Sequence, residues 1–376
     1  MGRMRTLVAA SGLGHIKRGV ETWAQELAYA LRNNVSVILC KGGGTRESNI
    51  EYVLPCIKRN SVILGGKFSP IPWGARVRIE ESTFSFSLAT IVRALNPDVV
   101  HVSQFFHSLF DLKKRKLIKS KIVFANGVGI PIHSLARMDY LYVQQLAPYY
   151  IEEAREQGIN VQKWFTIPPF VNTQKFSPRI RTCLRETLGI PRDAFVALCV
   201  SAIKRKQKRV DWLIREVGKL KNDFRKEAFL VVVGETENET SSIVSQGREL
   251  LKNHIIFLSS LPDEAMPEVY ALADLFVLAS CSEPFGLVFL EAMASGKPVI
   301  GHSFPVTEWI IGDAGETVDM TREGQLAKAI ERYIMDEDLR EEKGRKGRER
   351  VEKMFSLDQI VKQTISMYNH ITAVEN

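Results

Sequence analysis

Residues 281–301 read CSEPFGLVFLEAMASGKPVIG, and three structural signals meet there. The apolar run 275–280 in front of it predicts a buried strand, residues 287–294 have the composition of a helix, and 298–300 predict a second strand. Glu283, Pro284, Phe285 and Gly286 then form the turn from strand to helix. Strand, helix and strand at this spacing make the repeating unit of a parallel sheet.

The same alternation extends in both directions. In the first half, apolar and β-branched runs at 6–10, 35–39, 61–64, 98–102 and 121–125 predict strands, and 20–31 has helical periodicity with Trp23, Leu27, Ala30 and Leu31 near one face. In the second half the runs are 195–200, 229–233, 255–258, 275–279 and 298–300. The expected fold is α/β, with two Rossmann-like parallel-sheet domains. Pro168, Pro169 and Pro178 oppose a continuous helix across 167–178, which marks the seam. The expected domains are 1–170 and 171–356, with a last helix at about 357–376 packing back on the first.

Of the 376 residues, 45% are apolar and 25% charged, enough for sizeable cores and unlike a disordered chain. No stretch approaches the roughly 18 uninterrupted apolar residues of a spanning helix. The basic then apolar start, MGRMRTLVAASGLG, is broken by glycines and lacks a small-residue cleavage site, so it reads as a first strand rather than a leader. Five scattered cysteines without a C-x-x-C pair fit a reducing cytoplasm, and the N-x-S/T triplets at Asn34 and Asn238 then read as chance matches. Residues 1–175 hold 23 Lys and Arg against 12 Asp and Glu, whereas 176–376 hold 28 against 31. The net charge of +8 therefore arises in the first half, which points that half toward an anionic partner.

An open parallel sheet binds ligands beyond the carboxyl ends of its strands. The turn at 283–286 lies at such an end, where the first N–H groups of the following helix lack partners and its dipole adds positive charge. Glu283 in the turn and Glu291 on the helix are eight residues apart, within about 80° of one face. Paired hydroxyls suit such carboxylates. The plain alternative is a helix-capping Glu283 and a surface Glu291.

The wording E-P-F-G-L-V-F-L-E resembles the E-x7-E signature of retaining glycosyltransferases with the GT-B fold, in particular glycosyltransferase family 4, the group 1 glycosyl transferases. The flanking YALADLFVLAS (270–280) and EAMASGKPVI (291–300) resemble it too. Weaker likenesses are RGVETWAQELAYAL (18–31) to the family's G-G-x-E loop and first helix, 167–176 to I-P-N-G-V-D-x-x-x-F, and Phe355-Ser-Leu to the F-S-W opening its final helix. The resemblance implies a nucleotide diphosphate sugar, UDP- or GDP-linked, on the second domain and an acceptor on the first, across a deep cleft. It also implies ribose hydroxyls on Glu291, with the donor sugar on Glu283 and the amides of Phe285, Gly286 and Leu287. Retention in this family is explained by front-face attack, with the departing diphosphate helping to deprotonate the acceptor and no protein nucleophile.

Charge growing on that diphosphate calls for positioned cations, expected in SAIKRKQKRVDWLI (201–214). The family shows G-R and then K-G here. Lys208 matches its lysine, but its arginine falls near Ala202 or Ile203, leaving Lys204 or Arg205 as the substitute. Gly19 matches the second glycine of the first-domain loop, with Arg18 at the place of the first; G-L-G-H-I-K lacks the third glycine of a dinucleotide fingerprint, which argues against a hydride-transfer cofactor. Where several relatives carry a histidine that faces the sugar, this chain has Asn126, which hydrogen-bonds but is no base. His101, His107 and His133 nearby read as structural. No metal-ligand spacing is legible, so no cofactor and no metal are expected, with protein cations in place of a divalent ion.

On the acceptor side, 112–121 contains Lys113, Lys114, Arg115, Lys116 and Lys119, read either as a solvated helix face before a strand or as a surface for anionic lipid. Phe68, Ile71 and Trp73 stand among cations in 66–78, where Pro70 and Pro72 argue against helix. A glycan or lipid-linked acceptor met by a cytoplasmic protein, peripheral at the inner membrane face, accounts for this charge. The competing readings are a GT-B-like epimerase and an inactive sugar-nucleotide or anionic-polymer binding protein. No nucleic-acid recognition motif is present, so no nucleic acid partner is expected.

Overall fold

Buried apolar runs form the strands of two separate sheets in the computed structural model, which describes residues 3–16, 19–64, 70–127, 129–221 and 228–374. Arg18 and Phe68, singled out above, lie outside them. The chain divides into unit 1, Met1–Pro169 with Ile360–Asn376, and unit 2, Phe170–Gln359.

Unit 1 is built on β1 (Arg5–Ala10), β2 (Ser36–Lys41), β3 (Glu51–Val53), β4 (Val99–Val102), β5 (Lys121–Ala125), β6 (Tyr142–Gln145) and β7 (Trp164–Thr166), all parallel, in the order β3-β2-β1-β4-β5-β6-β7. Its helices before the seam are α1 (Gly19–Leu31), α2 (Trp73–Leu95), α3 (His107–Lys114), α4 (Ile132–Ala136) and α5 (Pro148–Glu156). All four β4 residues and residues 122–125 of β5 are buried, as expected of a parallel sheet covered on both faces.

Two expectations are corrected. Residues 61–64 are not a strand: Val62–Leu64 form a 3-10 turn whose Val62 and Ile63 are 91% and 82% exposed. The third strand is Glu51–Val53, whose buried Glu51 pairs with Lys41 at 2.7 Å and accepts a hydrogen bond from Tyr29 at 2.9 Å. β-branched composition pointed to the wrong segment because a charged pair fills the strand's inward place. Pro72 does not exclude helix either. It stands immediately before α2, where its fixed φ is suitable and its missing N–H costs nothing.

Unit 2 is built on β8 (Phe195–Val200), β9 (Ala228–Val233), β10 (Ile255–Leu258), β11 (Leu275–Val277), β12 (Val299–His302) and β13 (Gly315–Val318), parallel, in the order β10-β9-β8-β11-β12-β13. Its helices are α6 (Leu184–Thr187), α7 (Val210–Gly218), α8 (Thr240–Leu251), α9 (Met266–Ala271), α10 (Leu287–Ala294), α11 (Pro305–Ile311), α12 (Gln325–Met335) and α13 (Glu337–Met354). Helix α14 (Leu357–Ala373) begins at the end of unit 2 and runs on into unit 1. There its buried Tyr368 lies 2.7 Å from Nδ1 of His101 on β4, and Trp23 of α1 stands edge-on to the same imidazole.

Unit 1 carries two buried groups that respond to acid with one sign. Burial lowers His101 to a pKa of about 3, so it is neutral in the fold. The unfolded chain binds the extra proton below the ordinary value of 6.5, and stability from this group is full above 6.5 and declines below it. Glu80 of α2 is fully buried; burial alone would raise it, but hydrogen bonds from His15 and Arg59 outweigh that and lower it from 4.5 to about 2. Its contribution, about 3 kcal/mol by linkage, is complete above pH 4.5 and lost toward pH 2. Calorimetric unfolding against pH should show the midpoint falling first below 6.5 and again below 4.5, with Glu80→Gln reducing the second decline, to which the buried Glu51, also held below its ordinary value, contributes as well. A midpoint constant from pH 7 to 3 would contradict this.

Candidate functional site

Strand order reverses in unit 2 at β8, whose neighbours are β9 on one side and β11 on the other. The loops after β8 and β11 therefore leave the sheet in opposite directions, which opens a crevice at the carboxyl ends of these two strands. Loop 201–209 and turn 278–286 are its walls.

The turn is held by one glycine and one aromatic ring. Gly286 is the N-cap of α10 at φ 87°, and a Cβ there would stand 2.8 Å from a Phe289 ring carbon and 3.1 Å from Cγ of Glu283. Phe285 is buried, with ring centroids 6.4 Å from Trp309 and 6.2 Å from Phe355. Its side chain anchors the turn, which leaves backbone to face the crevice. Among the described residues no side chain caps α10, and because the Phe289 N–H donates to the Gly286 carbonyl at 3.0 Å it is the Leu287 and Val288 N–H groups that are offered to an anion, with Leu287 39% exposed beside them. Gly286→Ala should cost about 1–3 kcal/mol through backbone strain and this crowding, read as a lowered unfolding midpoint. An unchanged midpoint would show that the turn relaxes freely.

The two carboxylates occupy different surroundings. Glu283 accepts from Nζ of Lys208 at 2.5 Å, with the two side chains 14% and 24% exposed. The pair joins the two walls of the crevice. Glu291 accepts from the Tyr270 hydroxyl at 2.6 Å; burial first, and then the neighbouring carboxylate, push that phenol well above its ordinary pKa, so it stays a donor. Neither carboxylate caps a helix, which removes the plain alternative for Glu283: the cap is Gly286.

Of the two residues offered for the missing arginine, Arg205 is turned elsewhere. Its guanidinium meets Gln246 and Ser242 of α8 and Asp211 of α7 at 3.1, 3.2 and 3.2 Å. In this conformation those contacts occupy the guanidinium that the resemblance assigned to the diphosphate. Lys204 is half-buried, and its ammonium has no hydrogen-bond or ion-pair partner among the described residues. The residue that reasoning from sequence passed over is Arg209: at φ 49° it opens α7 and donates to the Met320 carbonyl at 2.8 Å and to Sγ of Cys281. Its signal was the basic residue in the place where the K-G pattern has glycine.

Residues 181–350 match the family model for glycosyl transferases group 1. The matched segment lies within unit 2 and is similar to this family. The match takes in both walls of the crevice. Among its relatives, the N-acetyl-alpha-D-glucosaminyl L-malate synthase of Bacillus anthracis is 30% identical over 206 residues, 54% of this chain and 52% of that protein. The chain thus spans about half the length of that relative. In fold it is similar to a glycosyltransferase from Rickettsia africae, with TM-score 0.77, 21% identity and 99% of each chain covered. It is also similar to Anabaena HepE in complex with UDP and glucose, with TM-score 0.72, 16% identity, and 98% and 100% coverage. These likenesses give the two-sheet GT-B fold.

Unit 1 has its own reversal of strand order, between β1 and β4, and polar side chains fill it. Ser11 and Gln104 bridge the ends of the two strands, with the Ser11 N–H donating to Gln104 at 2.8 Å. Glu80 accepts from Ser11, His15 and, three times over, Arg59. Gly19 opens α1 with no described atom within 4 Å of where its Cβ would stand, so the surrounding protein does not demand glycine there. Asn126 is 4% exposed; its amide donates to the Ile130 carbonyl at 3.1 Å and to Gln145 at 3.2 Å, and its oxygen accepts from the Ile130 N–H at 2.7 Å. In this conformation Asn126 holds its own loop.

The basic segment is not one helix face, which corrects that alternative. Lys113 and Lys114 end α3, Arg115 caps it and pairs with Asp111 at 2.8 Å, Lys116 has φ 58°, and Lys119 lies in the irregular segment before β5. Lys113 is half-buried and its pKa lowered, by burial and then by Lys121 and Lys163. Trp73 begins α2, 37% exposed, with the Arg76 and Arg59 guanidinium carbons 5.0 and 6.0 Å from its ring centre. Among the described residues, no three His, Cys, Asp or Glu gather as metal ligands, and no helix is long and apolar enough to cross a membrane.

Proposed function

We propose that the protein is a retaining glycosyltransferase that moves a sugar from a UDP- or GDP-sugar to a hydroxyl of a glycan or lipid-linked acceptor, without a metal ion. The observation that carries this is the Lys208–Glu283 pair joining the two walls of the unit 2 crevice, with Glu291 set on the following helix.

In the proposed arrangement the diphosphate lies at the uncapped start of α10 and near Lys208, and Glu291 accepts hydrogen bonds from the ribose hydroxyls. Lys208 has three N–H donors, so it can keep Glu283 and still meet a phosphate oxygen. Glu283, fixed by that bond, accepts from the donor sugar. In the reaction the bond from the anomeric carbon to the phosphate oxygen breaks, and a bond from that carbon to the acceptor oxygen forms on the same face. The acceptor proton passes to the departing diphosphate, whose growing charge Lys208 and the helix amides stabilise more than they stabilise the ground state. Asn126 and Gly19 are proposed for the acceptor side, with Asn126 acting through the loop that it holds.

The acceptor is proposed to be met at an anionic membrane surface, on the cytoplasmic side. Support comes from Val62, Ile63, Trp73 and Leu117, apolar and exposed, in segments that also carry Lys58, Arg76, Arg115 and Lys116. That composition suits an interface between lipid headgroups and chains.

The test is a turnover assay in EDTA with UDP- and GDP-sugars and a panel of glycan and lipid-linked acceptors, with the product's anomeric configuration read by NMR. Release of one nucleotide diphosphate, coupled to a product that keeps the donor's configuration, is expected. Inverted configuration, or turnover abolished by EDTA and restored by a divalent ion, would refute the corresponding part.

A further inference from the structure

Arg209 sits at the N-cap of α7 with φ 49° and ψ 39°, a left-handed conformation that glycine takes freely and a residue with a Cβ takes under strain. The side chain compensates with three contacts. It donates to the Met320 carbonyl at 2.8 Å and to Sγ of Cys281, and its guanidinium carbon lies 4.5 Å from the centre of the Trp212 ring. Met320 follows β13, and its own N–H donates to Nδ1 of His302 at the end of β12. One guanidinium therefore ties together the chain after β8, after β11 and after β13. The preceding residue, Lys208, holds Glu283, two positions beyond Cys281. Successive residues of one loop thus grip the same turn at two points.

We infer that Arg209 is a positioning residue for the sugar-binding end of the crevice: it fixes the 281–286 turn so that Glu283 meets the donor sugar, without touching the nucleotide. This rests on the donor reading proposed above. Its consequence is a division of binding. Glu291 holds the nucleotide whether or not a sugar is attached, whereas the added affinity of the sugar conjugate depends on Arg209.

The test uses Arg209→Gly and Arg209→Lys in the full-length protein. Each is titrated calorimetrically with UDP, UDP-glucose, GDP and GDP-mannose, and the rate of Cys281 alkylation by iodoacetamide is followed by peptide mass spectrometry. Arg209→Gly relieves the backbone strain, so its unfolding midpoint is expected at or above that of the wild type. Its affinity for the bare nucleotide should change less than about twofold, while the sugar conjugate binds about tenfold more weakly and Cys281 reacts several times faster. Arg209→Lys keeps the charge without the planar fork and should fall between; it carries the test if the glycine variant does not fold. Wild-type sugar-conjugate affinity in Arg209→Gly would overturn the inference. Equal weakening of nucleotide and conjugate would overturn it in favour of a direct phosphate contact. A wild type that binds no probe, beside faster alkylation in the variant, would overturn the donor reading while supporting the grip on the turn.

Discussion

Glu291→Gln is expected to weaken nucleotide binding by roughly 10- to 100-fold, because a charged acceptor of hydroxyl hydrogen bonds becomes neutral. Folding should be little affected. The amide oxygen of Gln still accepts from Tyr270, and the residue keeps its size on α10, so the unfolding midpoint is expected to stay close to the wild-type value. A calorimetric titration beside a thermal melt separates the two effects. Undiminished affinity in a folded variant would remove Glu291 from the ribose, and a large loss of stability would show that its main role is to satisfy the buried Tyr270 hydroxyl.

Lys208→Ala should lower kcat by about 100- to 1,000-fold, the usual loss when one preorganised group that stabilises transition-state charge is removed. Affinity for the nucleotide sugar should fall much less, because the lysine acts mainly on charge that develops as the glycosidic phosphate bond breaks. The variant also leaves Glu283 without its 2.5 Å partner, so the Glu283→Gln, Lys208→Ala double variant is the control. If the lysine's only role were to neutralise Glu283, the double variant would match Glu283→Gln alone; loss beyond that of Glu283→Gln places Lys208 at the reacting diphosphate. Turnover within about twofold of wild type in the single variant would remove it from the site.

Much of this was legible in the sequence for a physical reason. Strands covered on both faces must be continuously apolar, and Lys121–Ala125 and Phe195–Val200 were read with their observed bounds, as was the apolar edge strand Ile255–Leu258. The helix Leu287–Ala294 was equally plain, because a turn with glycine and proline precedes it. Strands that place polar groups inward were missed. β6 buries Gln144 and Gln145, which find partners in the Ile167 carbonyl and the Asn126 amide, and such pairing has no local sequence signature.

The site divides along the same line. Glu283, Gly286 and Glu291 lie in one short segment whose spacing is itself the signal. The cations come from another loop, where Lys204, Arg205, Lys208 and Arg209 differ little as letters. What separates them is direction: Arg205 turns to α8, Lys208 to Glu283, and Arg209 to Cys281 and Met320. Side-chain direction in an irregular loop depends on tertiary partners, and no periodicity encodes it. Asn126 was likewise visible as an exception, but its closed set of hydrogen bonds required the folded loop.

The most direct test of the central claim is calorimetric titration of the folded protein, in EDTA, with UDP, GDP, ADP and their common sugar conjugates. Saturable binding of one nucleotide and its conjugate, weakened in Glu291→Gln, is the predicted result. Absence of binding to every one of them would contradict a nucleotide-sugar site in the unit 2 crevice.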